Sequence, residues 1–286
     1  MANPVVYLNG EYCAPEEAKV SVLDRGFMFG DGVYEVIPCY GRKLFRLEQH
    51  LRRLQDSLDA IRIDNPLAQE QWREVLERIV ADNEGVDQSI YLQVTRGQAK
   101  RDHRFPEHCR PTVFVMSTPL TAPPPAWLEQ GIGAVTVEDV RWQWCYIKSI
   151  NLLPNILLRQ QAVDEGAEEA ILIREGWVTE GAASNVFIVR GGKLVTPPQS
   201  ALLLPGITRD LVVELAGQNG IDCEQAPISA EELHAADEIW LTSSTREILP
   251  VTRLDGKPVG SGDPGSLWRR VYDIYQDYKR QLREAV

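Results

Sequence analysis

Three consecutive prolines, Pro123-Pro124-Pro125, stand near the middle of the chain, closing the segment Thr118-Pro-Leu-Thr-Ala-Pro-Pro-Pro. Proline fixes φ and has no N–H, so this stretch offers few donors to a sheet ladder and stiffens toward polyproline II. No helix or central strand can run through it. It predicts a linker over 119–131, between a smaller domain at 1–118 and a larger one at 132–286. Two domains are also what 286 residues suggest.

Both halves mix helices and strands. Val5–Leu8 and Glu11–Cys13 flank Asn9-Gly10, the pair that favours a type I′ hairpin turn. A second extended pair is expected at Gly32–Cys39 and Lys43–Phe45. Leu47, Leu51, Leu54, Leu58 and Ile61 recur at helical spacing, and Trp72, Val75, Leu76, Ile79 and Val80 mark a second helix. Ile90, Leu92 and Val94 alternate as in a half-buried strand, and a polar loop from Gly97 to Arg110 leads to another at Thr112–Met116. Past the prolines, strands at 134–137, 170–174, 186–189 and 238–242 alternate with helices near 154–165, from Ile207 and from Gly265. The class is α+β, with a small α/β N-terminal domain and a larger β-rich C-terminal domain carrying helices.

Composition narrows the function classes. Apolar residues make up 44%, enough for a full core without staples. Thirty basic against 41 acidic residues give −11, which argues against a nucleic-acid or anionic-membrane partner. Five scattered cysteines without a CxxC pair, and four histidines without ligand spacing, point to neither disulfides nor a metal site, and a reducing cytoplasm is expected. The stretch Met1 to Tyr12 has no basic segment followed by an apolar one, so no signal peptide is expected. No apolar run approaches the ~18 residues of a membrane span.

Five short segments carry the chemistry. In Tyr146-Ile-Lys-Ser-Ile-Asn, Lys148 has apolar and aromatic neighbours, where desolvation favours the neutral, nucleophilic amine. Taken alone, a strand lysine usually snorkels to water. Glu180, in Trp177-Val-Thr-Glu-Gly-Ala-Ala-Ser-Asn, ends an extended run, and a carboxylate there can pair with a protonated ring nitrogen. Leu204-Pro-Gly-Ile-Thr-Arg turns into a helix whose first N–H groups, Ile207 and Thr208, suit a phosphate or simply an N-cap. Thr242-Ser-Ser-Thr ends a strand with four hydroxyls. Arg53, in His50-Leu-Arg-Arg-Leu, falls off the leucine stripe and is read as a non-core residue, either solvated or reaching for a phosphate.

Together with Gly30-Asp-Gly-Val-Tyr-Glu, these segments resemble, in order and spacing, the class IV (fold-type IV) pyridoxal-phosphate aminotransferases, over nearly the whole chain. The resemblance implies pyridoxal 5'-phosphate as cofactor, with Lys148 as Schiff-base lysine and acid/base and Glu180 as partner of the ring nitrogen. It implies Arg53, Ile207, Thr208 and Ser244 around the phosphate, Leu204 packed on the ring, and a homodimer. Relatives often carry Thr where Ser244 stands; the hydroxyl is kept. Gly30 and Gly32 read as a turn rather than a phosphate loop.

Within the family, Arg101-x-His103 resembles the D-amino-acid aminotransferase signature, which with Tyr34 would trap the substrate α-carboxylate. Guanidinium binds a carboxylate through two bonds, and imidazole and phenol donate further ones. The implied reaction exchanges an amino group between a D-amino acid and a 2-oxo acid such as pyruvate or 2-oxoglutarate, in two halves through pyridoxamine phosphate. Branched-chain and R-selective amine transaminases and aminodeoxychorismate lyase share the fold and stay open as alternatives. A non-enzymatic α/β binding module would leave Lys148, Glu180 and Arg53 without a common purpose.

Overall fold

The computed structural model describes residues 4–284; the first three residues of the N-terminal stretch read for a leader, and the last two of the chain, lie outside them. Backbone contacts divide the chain into two units. One runs to Thr121 and also takes in Ile147–Leu152 and the chain from Leu282; the other holds Ala122–Tyr146 and Leu153–Gln281.

The first unit opens with the hairpin β1 (Val6–Leu8) and β2 (Glu11–Cys13). Its turn has φ of 53° at Asn9 and 103° at Gly10, the left-handed pair that a type I′ turn demands. The short helix α1 (Arg25–Phe29) is too brief to show a period in sequence. Local hydrogen bonds make it: Asp24 accepts from Gly26 N at 2.8 Å, and Gly30, at φ 67°, ends the turn.

β3 (Gly32–Tyr40), β4 (Lys43–Leu44), α2 (Leu47–Ala60), α3 (Gln69–Asp82), β5 (Gln88–Thr95) and β6 (Thr112–Pro119) complete the run. The six strands form an antiparallel sheet in the order β2-β1-β6-β5-β3-β4. The leucine stripe of α2 and the Trp72–Val80 face of α3 pack on Val33, Ile37, Ile90 and Leu92. Alternation along β3 gives that core face Val33, Glu35 and Ile37, each fully buried.

The second unit takes in the three prolines, and its first element is α4 (Pro125–Glu129), whose first position tolerates the missing N–H of Pro125. There follow β7 (Ile132–Glu138), α5 (Leu153–Asp164), β8 (Glu169–Arg174), β9 (Trp177–Gly181), β10 (Asn185–Arg190), β11 (Lys193–Thr196) and α6 (Ile207–Gln218). β12 (Cys223–Gln225), α7 (Ala230–His234), β13 (Glu238–Ser243), β14 (Glu247–Leu254), β15 (Lys257–Pro258) and α8 (Ser266–Glu284) close the chain. Eight strands run in the order β12-β11-β10-β13-β14-β7-β8-β9, with β15 added to β14. Its core holds Ile171, Val186, Ile188, Val195, Ile239, Leu241 and Val251. Near-continuous apolar runs such as Val186–Val189 fit strands buried on both faces.

Candidate active site

Lys148 lies in the first unit, away from its neighbours in sequence, because its segment docks along the start of β3. Tyr34 N donates to Lys148 O at 3.0 Å, Val33 bridges Ser149, and Ile150 N donates to Gly32 O at 3.1 Å. Lys148 N donates to Ser57 Oγ of α2 at 3.2 Å. These bonds hold the backbone and leave the half-buried side chain with its Nζ 4.1 Å from the centre of the Tyr34 ring. A π-face beside an amine attracts its charged form. Tyr34 in turn stacks on Tyr91.

Arg53 departs from the sequence expectation: it is buried, not a solvated edge residue. The reason lies on the neighbouring strand. Glu35 points into the core from β3, and Arg53 donates to it twice, Nε to Oε1 at 2.8 Å and Nη2 to Oε2 at 2.7 Å. His50, one helical turn before, donates from Nδ1 to Glu35 Oε2 at 2.8 Å. Burial opposes charge on Glu35, yet Arg53 and His50 hold its carboxyl down at about 2. Burial pulls the His50 ring below its ordinary value, against the raising pull of Glu35, and its Nε2 has no hydrogen-bond partner among the described residues. A charge at a core-facing strand position is the sequence signal for this triad, because alternation places Glu35 between Val33 and Ile37.

The triad has a testable pH signature. The folded value of Glu35 lies below its ordinary 4.5, so its contribution is complete above that value and disappears as pH falls toward 2. That contribution is on the order of 3 kcal/mol. His50, whose value is also lowered on folding, contributes stability that is complete above 6.5 and is lost as pH falls through its lowered value. Urea unfolding of wild type and Glu35→Gln should therefore show the wild type losing its advantage between about pH 5 and pH 2. Parallel acid profiles would contradict this.

In the second unit, Glu180 ends β9 and is buried. Its Oε1 accepts from Arg141 Nη1, and its Oε2 accepts from Leu204 N at 2.9 Å and from Asn185 Nδ2 at 3.4 Å. Burial pushes the Glu180 carboxyl up, and Arg141 and the Leu204 N–H pull against that shift. Arg141 is held by Asp139 through two bonds at 2.9 and 3.0 Å, and Asp139 also takes Thr179 Oγ1 at 2.9 Å and pairs with Arg174 at 3.1 Å. Sequence reading misses Arg141 and Asp139. Nothing local signals a pairing between residues 39 positions apart.

Leu204 thus meets Glu180 directly, and Asn185 ties both to the loop ahead of α6 through Nδ2 and Leu204 O at 2.9 Å. At Gly206 a Cβ would sit 1.8 Å from Asn185 Oδ1, so any larger residue would have to displace the amide that bonds Leu204 O and Glu180. Gly206 opens α6 without a side-chain cap, leaving the N–H groups of Ile207 and Thr208 in a first turn that has no intrahelical acceptors. Ser244 lies in the β13–β14 turn, two residues past Thr242, which pairs with Asn185. Thr242 Oγ1 is buried without a partner among the described residues.

The side chains suit pyridoxal 5'-phosphate. Taken unit by unit, the Lys148 amine of the first suits a carbonyl, and in the second the buried Glu180 carboxylate with Arg141 behind it suits a ring nitrogen and the uncapped start of α6 suits a phosphate. Arg101 and His103, expected from the sequence to bind a carboxylate, are exposed in the loop of the first unit, beside the Phe29 ring.

Residues 32–254 match the family described as amino-transferase class IV. D-alanine aminotransferase of Bacillus licheniformis is 41% identical over 272 residues, 95% of this chain and 96% of that protein. D-alanine aminotransferase of Staphylococcus epidermidis is 39% identical over 96% of this chain and 97% of its own length. Among solved structures, the T.th. branched-chain amino acid aminotransferase with pyridoxamine 5'-phosphate is similar at a TM-score of 0.92, with 28% identity over 97% of this chain and 94% of that one. The Escherichia coli branched-chain enzyme matches at a TM-score of 0.90, with 29% identity over 96% of this chain and 94% of that one. With the backbone of the fold and most of the sequence accounted for, the chain belongs to the class IV aminotransferases.

Proposed function

We propose that the protein transfers amino groups between D-amino acids and 2-oxo acids with pyridoxal 5'-phosphate. The observation that carries this reading is near-complete alignment with D-alanine aminotransferases at 39–41% identity, against 28–29% for the branched-chain enzymes of the same fold. The bound cofactor supplies a carbonyl that captures the substrate amine and a ring that draws electrons from the substrate Cα. Lys148 is assigned to carry the cofactor and then to move the Cα proton on its Nζ. Glu180, with Arg141 behind it, keeps a proton on the ring nitrogen, and Leu204 packs beside it. Arg53 (oriented by Glu35), Ile207, Thr208 and Ser244 are assigned to the phosphate. Arg101, His103 and Tyr34 are assigned to the substrate carboxylate.

We further propose a cytoplasmic homodimer. In the second unit Val140, Trp144, Leu153, Ile156 and Leu157 are exposed apolar side chains, which a partner subunit would cover. The five cysteines are free, as suits a reducing compartment. No described helix is long and apolar enough to cross a membrane.

The test is a panel of D- and L-amino acids with pyruvate and 2-oxoglutarate as acceptors, followed by chiral product analysis. D-alanine should be a substrate and L-branched-chain acids should not; the reverse would overturn the reading. Arg101→Ala should cost about 1.5–3 kcal/mol of substrate affinity, roughly ten- to a hundredfold in kcat/KM for D-alanine. R-configured amines, having no carboxylate, should be turned over as before, and equal losses on both would make Arg101 structural.

A further inference from the structure

Arg25 is buried near the start of the first unit, where it joins Asp31 to the loop that begins at Gly97. Its Nε donates to Asp31 Oδ2 at 2.7 Å. Its Nη1 donates to the backbone carbonyl of Asp102 at 2.6 Å, the residue between Arg101 and His103. Its own N–H donates to Gly97 O at 2.9 Å, where the loop begins. Asp31 is shared: Arg96 donates to it from Nε at 2.8 Å and from Nη2 at 3.0 Å. The Arg96 guanidinium lies 3.8 Å from the centre of the Phe105 ring, at the far end of the same segment.

Phe29 completes the arrangement. Its ring centre lies 4.8 Å from the Arg25 guanidinium carbon, 5.4 Å from that of Arg101 and 5.6 Å from the His103 ring centre. The neck of the loop is narrow, since a Cβ at Gly97 would fall 1.9 Å from Arg110 O. Ala99 N also donates to Leu23 O at 3.2 Å. Exposed loops usually move freely. This one is pinned at its neck, at Asp102 and at Phe105 by buried groups.

We propose that Arg25 is a positioning residue for substrate carboxylate recognition: locked on Asp31, it fixes the Asp102 carbonyl and so the spacing of the Arg101 and His103 side chains. This deepens the D-amino-acid reading and rests on it. The clamp needs two arms, Nε for Asp31 and Nη1 for Asp102, which only a guanidinium supplies. Lysine at this position keeps the ion pair and loses the loop.

Arg25→Lys is therefore the test, in the full-length holoenzyme. KM for D-alanine should rise about tenfold, the scale of one charge-assisted contact set out of place, with kcat within about twofold. Trypsin should cut faster after Lys100, Arg101 and Arg104 while the rest of the chain stays as resistant as wild type. An unchanged KM with unchanged loop cleavage overturns the proposal. So does a raised KM accompanied by cleavage throughout the chain, which marks a general structural role. Arg101→Ala is measured alongside: if it leaves KM unaltered, the carboxylate reading fails, while the trypsin pattern still decides whether Arg25 holds the loop. Should Arg25→Lys not fold, Asp31→Asn weakens the lock on Arg25 Nε with the guanidinium still present and carries the same two readouts.

Discussion

Lys148→Ala should lower D-alanine transamination by about 10⁴-fold or more, because the proposed reaction gives one side chain both the cofactor and the Cα proton to handle. The loss should be confined to chemistry. The backbone bonds that seat the residue, Lys148 N to Ser57 Oγ and Tyr34 N to Lys148 O, do not depend on its side chain. Thermal unfolding should then stay near wild type while single-turnover rates collapse. In the wild type, borohydride reduction followed by peptide mapping should find the pyridoxyl group on Lys148. Its appearance on any other lysine would remove the assignment on which the proposed reaction stands.

Glu180→Gln keeps the shape of the side chain and removes its charge. Loss of one preorganised charge partner in a buried site costs about 10²–10³-fold, and proton removal from the substrate Cα should slow by that factor with D-alanine affinity little changed. Arg141 gives a second handle. Its guanidinium spans Asp139 and Glu180, so in Glu180→Gln it stays paired with Asp139 and the unit remains folded. Stopped-flow rates equal to wild type would show that Glu180 is only a structural partner of Arg141.

How much of this is legible without coordinates depends on how locally each feature is encoded. The Asn9-Gly10 hairpin, the leucine stripe of α2 and the turn into α6 are spelled out within a few residues, and they stand where the pattern places them. The short α1 and α4 have no room for a period and leave no such trace. Arg53 defeats the helical wheel, which counts apolar neighbours and cannot see a carboxylate on another element. Its burial is decided by Glu35, 18 residues earlier. The same holds for Arg141 behind Glu180 and for Arg25 behind Asp102, where the partners meet only after folding. Glu35 is the readable exception, a charge in an inward strand position.

The first unit is also discontinuous in a way that orders events during synthesis. A nascent chain that has reached Thr121 contains all six strands of its sheet yet lacks the lysine, which arrives with Ile147–Leu152. The last turn of α8 returns as well, with Arg283 pairing to Asp87 and its guanidinium carbon 5.8 Å from the Tyr40 ring centre. Contacts this distant in sequence close late, because the intervening chain must first be made and confined. A ribosome must therefore release almost the whole polypeptide before the N-terminal sheet gains its final contacts. Truncation after Thr121 yields the six strands without Lys148, the residue that the proposed reaction needs.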